Sequence, residues 1–290
     1  MNCTLCSSNQ TKKVLQLKSS EINAIYSLYE CPECESRFCD LNEHPEINMS
    51  SFYKNITPVF DQKLQETFTP SSYWSAQKCE LIDVLGRQPE NILDIGCRGG
   101  DFLMHFEPTC SREGIEQSPI GSTIAQKRGL TVHQGFIETV SIENKYDIVT
   151  AYAVMEHISN PVSVLNKLAD FVKESGVLCI MIPSYQCLKV KLLTLLNRQW
   201  YQYDPPGHIT YYSKRFLDNY LLPKGFALER RYYTSGGVAI KPFLPAGSIR
   251  KSSRVVYKWR NAFNVLMGMC DNYLKFYPVF DHMYSIYRKH

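Results

Sequence analysis

Residues 91–100 read Asn91-Ile92-Leu93-Asp94-Ile95-Gly96-Cys97-Arg98-Gly99-Gly100. The stretch opens as a short apolar run of the kind that forms a buried strand, and it ends in a glycine-rich turn. Glycines at such a turn let the backbone bend sharply and approach a ligand closely. A dinucleotide fingerprint would need glycines at the first, third and sixth places counted from Gly96. Arg98 and Asp101 hold the third and sixth places, so a pyrophosphate cradle is not indicated. Asp94, just ahead of the turn, instead suits a cationic ammonium group.

Working outward, SREGIE (111–116) reads as the next strand, and it ends in Glu116 about twenty residues after Asp94, where a carboxylate can accept from both hydroxyls of a ribose. Asp94 and Glu116 together describe a nucleoside with a positively charged amino-acid tail, which is the chemistry of S-adenosylmethionine. Upstream, Trp74, Leu81, Ile82 and Leu85 share one face of a predicted helix over 72–85, stopped by Gly86 and Pro89. Downstream, predicted strands and helices alternate. DFLMHF (101–106) reads as a short helix, SPIGSTIAQKR (118–128) as a helix and LTVHQ (130–134) as a strand. YDIVTAYAV (146–154), VLCIMIP (177–183), FALERRYYT (226–234) and HMYSIYRK (282–289) read as strands, and NPVSVLNKLADFVK (160–173) and SKRFLDNYLLPKG (213–225) as helices. Such alternation predicts an α/β fold with a mostly parallel sheet and helices on both faces. Ligands of open sheets of this kind bind at the carboxyl ends of the strands.

The chain has 290 residues, 44 % hydrophobic and 21 % charged, with a net charge of +4. That balance excludes a disordered or low-complexity chain, and the mild charge gives no reason to expect DNA as a partner. There are 11 cysteines. The opening MNCTLCSSNQTKK shows no secretory signal, and no apolar run reaches the ~18 residues that span a bilayer. A cytoplasmic location with reduced thiols is therefore expected, and paired cysteines read first as metal ligands. Cys3 and Cys6 form one CxxC, and Cys31 and Cys34 form a second. Two such hooks surround one tetrahedral zinc, and a site filled by four sulfurs is structural, with no open position for catalysis. The interval between the hooks is slightly longer than the common zinc-ribbon range. The segment within it alternates enough for two short strands. Cys39 falls outside knuckle spacing and is expected to pack.

The order of motifs resembles the class I S-adenosylmethionine-dependent methyltransferases, and within them the type 11, 12 and 23 subgroup, some of whose members carry a two-knuckle zinc segment at the N-terminus. NILDIGCRGG resembles the family's first motif, GIEQSP its acidic second motif, and YDIVTAYAVMEHISNP its fourth strand and the helix after it. VLCIMIPS and GHITYYSKRFLDNYLLPKGF resemble its C-terminal half. The resemblance covers about residues 75–235 and implies a Rossmann-like sheet of seven mostly parallel strands beside a small zinc ribbon. It also implies domains at 1–45 (ribbon), 46–75 (connecting segment) and 76–290 (methyltransferase domain). Asp94, Gly96 and Gly100 are then expected at the methionine end of the cofactor and Glu116 at the ribose. Gly135, Phe136 and Ile137 are expected at the adenine, and Ala151, Tyr152 and Ala153 beneath the sulfonium. Arg98 replaces the central glycine of the family's loop, with its side chain expected to turn to solvent.

Methyl transfer from a sulfonium is an in-line displacement, and a base is needed only when the acceptor must lose a proton. His157, just after the fourth strand, and His208, in PPGHITYYS, are the candidates for acceptor base or orienter, with Tyr211 shaping the pocket. Family analogy leaves a small-molecule acceptor, a sugar or other metabolite. The alternatives are a methyltransferase-like binding module without activity, which Arg98 keeps open, and an enzyme acting on RNA or protein. Residues 241–275, basic and then apolar, read as a lid or insertion before the last strand, or as a contact with a membrane surface or lipid-linked substrate.

Overall fold

The computed structural model describes residues 1–47, 64–234 and 280–290, and part of 52–62. The segment 241–275 lies outside the described residues. The N-terminal strands β1 (Lys12–Lys18), β2 (Ile25–Glu30) and β3 (Arg37–Cys39) form an antiparallel meander. Its free edge is completed by a two-residue strand from far along the chain, β9 (Thr210–Tyr211), which pairs antiparallel with β3. Between β3 and β9 in sequence come helix α1 (Ser72–Leu85) and strands β4 (Asn91–Ile95) and β5 (Ser111–Glu116). Helix α2 (Pro119–Lys127) and strands β6 (Thr131–Gln134) and β7 (Tyr146–Tyr152) follow. Then come helix α3 (Pro161–Phe171), strand β8 (Val172–Pro183) and helix α4 (Leu188–Leu195). After β9 the chain adds helix α5 (Lys214–Leu221), β10 (Phe226–Thr234) and β11 (His282–Lys289).

The large sheet has seven strands in the order β10-β11-β8-β7-β4-β5-β6. The five strands from β8 to β6 are parallel, and β11 runs antiparallel between β8 and β10. Alternate residues of the central strands feed two separate cores, as the period of two along a strand requires. Leu93, Val149, Leu178 and Ile180 pack with Val164, Leu165 and Leu168 of α3. Ile92, Ile148, Val177 and Cys179 pack on the other face with Leu81, Val84 and Leu85 of α1. Helices therefore cover both faces, and the near-continuous apolar runs of the strands are explained by burial on both sides.

Local signals set the element ends. Gly86 closes α1 in the left-handed conformation, its N–H bonded to Ile82 O. Ser118 and Asn160 cap α2 and α3, each followed by proline in the first turn. The structure departs from the sequence reading at a few ends. DFLMHF forms only a single 3-10 turn, Leu103–His105. The strand from Tyr146 stops at Tyr152 because Ala153 takes a positive φ of 53°. Helix α3 ends at Phe171, and β8 starts immediately with Val172. Helix α4 and strand β9 were not anticipated. The first has no amphipathic pattern, and the second is too short to carry one.

The turn after β4 is the tightest part of the fold. Gly100 sits at φ 80°, and a Cβ there would stand 2.1 Å from Leu130 Cδ1 and 3.4 Å from the Ala125 Cβ. Gly100→Ala therefore combines left-handed strain with overpacking, and a loss of about 2–4 kcal/mol of stability is expected in urea unfolding.

Candidate functional site

Three residues of the β4 turn hold positive φ: Gly96 at 71°, Arg98 at 49° and Gly100 at 80°. Arg98 thus adopts the backbone conformation of the glycine it replaces, at a strain of about 1–2 kcal/mol. Its side chain is exposed, while its amide donates to Glu116 Oε2 at 2.7 Å. The other oxygen, Glu116 Oε1, accepts from Ser118 N at 2.6 Å, at the start of α2. One carboxylate at the end of β5 so fixes both the β4 turn and the mouth of α2. Burial raises the Glu116 carboxyl above its usual range despite these two amides. Asp94 is 4 % exposed and accepts from Thr150 Oγ1 of β7 at 2.6 Å. With no cation beside it, burial pushes its carboxyl up to about 7.

The residues expected around a cofactor divide by geometry. Asp94, Gly96, Gly100 and Glu116 gather at the carboxyl ends of β4 and β5. A Cβ on Gly96 would meet Val154 Cγ2 at 2.7 Å, so the turn leaves no room for a side chain there. After β6, Phe136 is 41 % exposed, whereas Ile137 is buried in the core on the α3 side. Ala151 is fully buried, and the Tyr152 ring packs among Trp74, Phe102 and Tyr284, so both offer a cleft their backbone rather than their side chains. Sequence reading did not foresee the strap that crosses this region. Ser118 Oγ donates to Asp61, and Arg128 donates to the carbonyls of Gln65, Glu66 and Gly99 and to Asp101. Nothing in the sequence around Asp61 marks that role, because it depends on a serine at a helix N-cap 57 residues away.

Just beyond β7, a 3-10 turn (Met155–His157) carries Glu156 and His157, and His208 comes to them from the loop before β9. One donor atom from each of Glu156, His157 and His208 lies within 4.8 Å of the others. His157 Nδ1 bonds Gly207 O at 2.7 Å, and His208 Nδ1 bonds Gln202 O at 3.0 Å. The two rings meet edge to face at 4.7 Å. Burial lowers both imidazoles, His208 to about 3, so both are neutral near pH 7. Glu156 is 1 % exposed, its Oε2 has no hydrogen-bond partner, and burial raises it to about 8. Tyr211 donates to the Gln202 and His208 carbonyls, and its ring packs in the core beside the ribbon, so it holds the His208 loop in place. Three further residues join this edge and were missed: Gln202 contacts His282 Nε2 at 3.1 Å, and Asp281 accepts from Lys189 and Trp200. Only the position of His282, first in the last predicted strand, could have pointed to them.

At the N-terminus Cys3, Cys6, Cys31 and Cys34 converge, with sulfurs 3.7 Å (Cys3–Cys34) and 3.5 Å (Cys6–Cys31) apart. Zinc–sulfur bonds of ~2.3 Å in a tetrahedron put neighbouring sulfurs about 3.8 Å apart, so the set is compatible with a small zinc ribbon. The bond from the Cys34 thiol lowers Cys3. Cys39 packs with Leu28, Tyr26 and Trp200. The ribbon is stitched to the larger sheet at the loop that carries His208. Cys39 N donates to Ile209 O, Arg37 donates to Tyr203, and Tyr185 donates to Glu35 O. Ser213 donates to Cys34 O, accepts from Phe216 N as the cap of α5, and its amide bonds Ser36 Oγ.

A seven-stranded sheet with this strand order, and with a glycine turn and an acidic pair at its carboxyl edge, is a Rossmann-like α/β fold. Residues 72–230 match the family described as a methyltransferase domain. The chain belongs to that family. It is 29 % identical over 116 residues to the mitochondrial ubiquinone biosynthesis O-methyltransferase of Schizosaccharomyces pombe, covering 37 % of this chain and 42 % of that protein. It is 25 % identical over 117 residues to a malonyl-[acyl-carrier protein] O-methyltransferase of Calditerrivibrio nitroreducens, covering 40 % and 48 %. The chain thus spans about half the length of the curated relatives it matches. Among solved structures, the magnesium protoporphyrin IX methyltransferase of Synechocystis aligns with a TM-score of 0.53 at 12 % identity, covering 83 % of this chain and 99 % of that one. That likeness concerns the fold.

Ser213 is fully buried and serves the ribbon and α5 at once. Ser213→Ala removes a helix cap and leaves the Cys34 carbonyl with only the longer bond from Ser36 Oγ at 3.4 Å, and a loss of about 2–3 kcal/mol is expected in chemical unfolding.

Proposed function

We propose that the chain methylates a small-molecule acceptor, a sugar or other metabolite, presented to the cofactor from the side of Glu156, His157 and His208. The observation that carries this reading is the continuity of one strand end. Thr150 of β7 bonds Asp94, and Glu156 and His157 follow in the turn just beyond β7. Cofactor-side and acceptor-side groups therefore stand next to each other along the carboxyl edge of the sheet.

When bound, S-adenosylmethionine supplies a sulfonium-linked methyl group open to in-line displacement. The Asp94 carboxylate receives the cofactor's ammonium group. Each Glu116 oxygen spends one lone pair on a backbone amide and keeps another for a ribose hydroxyl. Gly96 and Gly100 let the backbone approach, and Phe136 and Ile137 follow β6 at the base. Ala151 and Tyr152 give backbone at the reacting end. Neutral His157 and His208, each donating from Nδ1 to a carbonyl, keep Nε2 free to orient the acceptor or take its proton. Holding the two reactants in line is worth as much as ~7–11 kcal/mol of the barrier. The four ribbon cysteines hold one structural zinc, whose role is to fix the His208 loop through β9 and Ser213.

Two measurements test this. Asp94, raised by burial, favours the folded chain in its protonated form, so its contribution to stability is lost as pH rises through about 7. The cofactor's ammonium prefers the ionised form. Affinity for S-adenosylmethionine by calorimetry is therefore expected to rise between about pH 6 and pH 8, and Asp94→Asn should flatten that dependence. In a methylation assay with product mass as readout, His157→Ala and His208→Ala are each expected to lower turnover by about 10²–10⁴ with cofactor affinity unchanged. Full turnover in both variants would show that the acceptor lies elsewhere.

A further inference from the structure

We propose that Arg128 is a positioning residue that fastens residues 64–68 of the connecting segment to the glycine turn, and that this fastening gates exchange of the cofactor. The argument starts from one guanidinium. The Arg128 side chain is only 7 % exposed, although it stands at the C-cap of α2. Its Nη1 donates to Gly99 O and to Asp101 Oδ1, each at 2.7 Å, on the turn. Its Nη2 donates to Gln65 O at 2.6 Å and its Nε to Glu66 O at 3.3 Å, on the segment. Beyond them the centroid of the Phe68 ring lies 6.0 Å from the guanidinium carbon. A planar fork with donors fixed in direction spans four acceptors in this way, and an ammonium at one point does not.

A second fastener sits at the other end of α2. Ser118 Oγ donates to Asp61 Oδ2 at 2.7 Å, while the Ser118 amide is held by Glu116 Oε1. A Cβ placed on Gly99 would stand 3.6 Å from Leu64 Cδ2, so the segment packs directly on the turn. The segment thus rests on the same two loops whose amides Glu116 gathers. A nucleoside seated on Asp94, Gly96 and Glu116 would enter and leave beside it, a step that rests on the cofactor reading above. Arg128 grips Gln65 and Glu66 through their carbonyls alone, so the arginine sets the grip and the side chains it passes do not. The Glu66 carboxylate meets only the exposed Lys127 amine, at 3.3 Å. Lifting the segment breaks both fasteners, and opening steps of this kind often set the rate at which a ligand leaves.

The test uses the full chain and S-adenosylhomocysteine. Hydrogen exchange of peptides covering 61–70, read by mass spectrometry on the free chain, is expected to quicken about 10–100-fold in Arg128→Lys, as loss of one charge-assisted hydrogen bond implies. In stopped-flow mixing, uptake and release of S-adenosylhomocysteine should both quicken by a similar factor, with the equilibrium affinity moving less than either rate. Damage to the turn would instead quicken release alone. Glu66→Ala, which removes no bond to Arg128, should keep both rates. Thermal unfolding checks that the variants fold, and Asp61→Ala, which removes the second fastener from the segment side, carries the test if Arg128→Lys does not. Unchanged exchange in the folded variant, faster release without faster uptake, or a Glu66→Ala effect as large as that of Arg128→Lys would overturn the proposal. Failure of the wild-type chain to bind S-adenosylhomocysteine would overturn the cofactor reading and the gating with it, whereas exchange on the free chain tests the fastening without any cofactor.

Discussion

The Glu116 carboxylate is the constraint on which the carboxyl edge of β4 and β5 depends. Its two oxygens take the amides of Arg98 and Ser118, one from each of the two loops that converge there. Hydrogen bonds to an ionised acceptor are roughly twice as strong as neutral ones, and here they offset part of the cost of burying the charge. The same bond explains how Arg98 is tolerated. Its backbone can carry left-handed strain because the amide gains a charged partner.

The edge that carries His208 is built on a different principle. Its groups come from the turn after β7, from the loop before β9 and from the start of β11, and the loop is held by the N-terminal meander. Tyr211 ties the His208 loop to itself through two carbonyls, and Cys39 and Ser213 tie it to the meander. The meander offers the edge of β3, and that edge holds the loop in position.

NILDI, SREGIE, FALERRYYT and HMYSIYRK match observed strands residue for residue. In NILDI the reason is burial on both faces, which writes an apolar run, and Gly96 ends it; FALERRYYT, at the sheet edge, is marked instead by Gly225 before it and by its aromatic end. Helix α1 was equally legible from the spacing of Trp74, Leu81, Ile82 and Leu85. The convergence of the four cysteines could be read from spacing, since a CxxC turn is a local geometry. What could not be read is whatever rests on contacts between distant segments. The β3–β9 pairing needs only two residues, Asp61 meets Ser118 and Gln65 and Glu66 meet Arg128 across some sixty positions, and Gln202 and His282 meet across eighty. No periodicity records such meetings. Tyr152 shows the reverse limit: its place at the end of β7 was evident, but the direction of its ring depends on an aromatic cluster that only the fold assembles.

The position of β11 has a consequence for how the molecule forms. The strand is the last in sequence but interior in the sheet, hydrogen-bonded on both sides by β8 and β10. The large sheet has an open seam until the eight residues of β11 have been made and have docked. Until then β8 and β10 expose unpaired edges, the kind of surface that recruits other chains. Closure of the sheet is therefore a single event that waits on β11, and a truncation within His282–Lys289 would remove an interior strand.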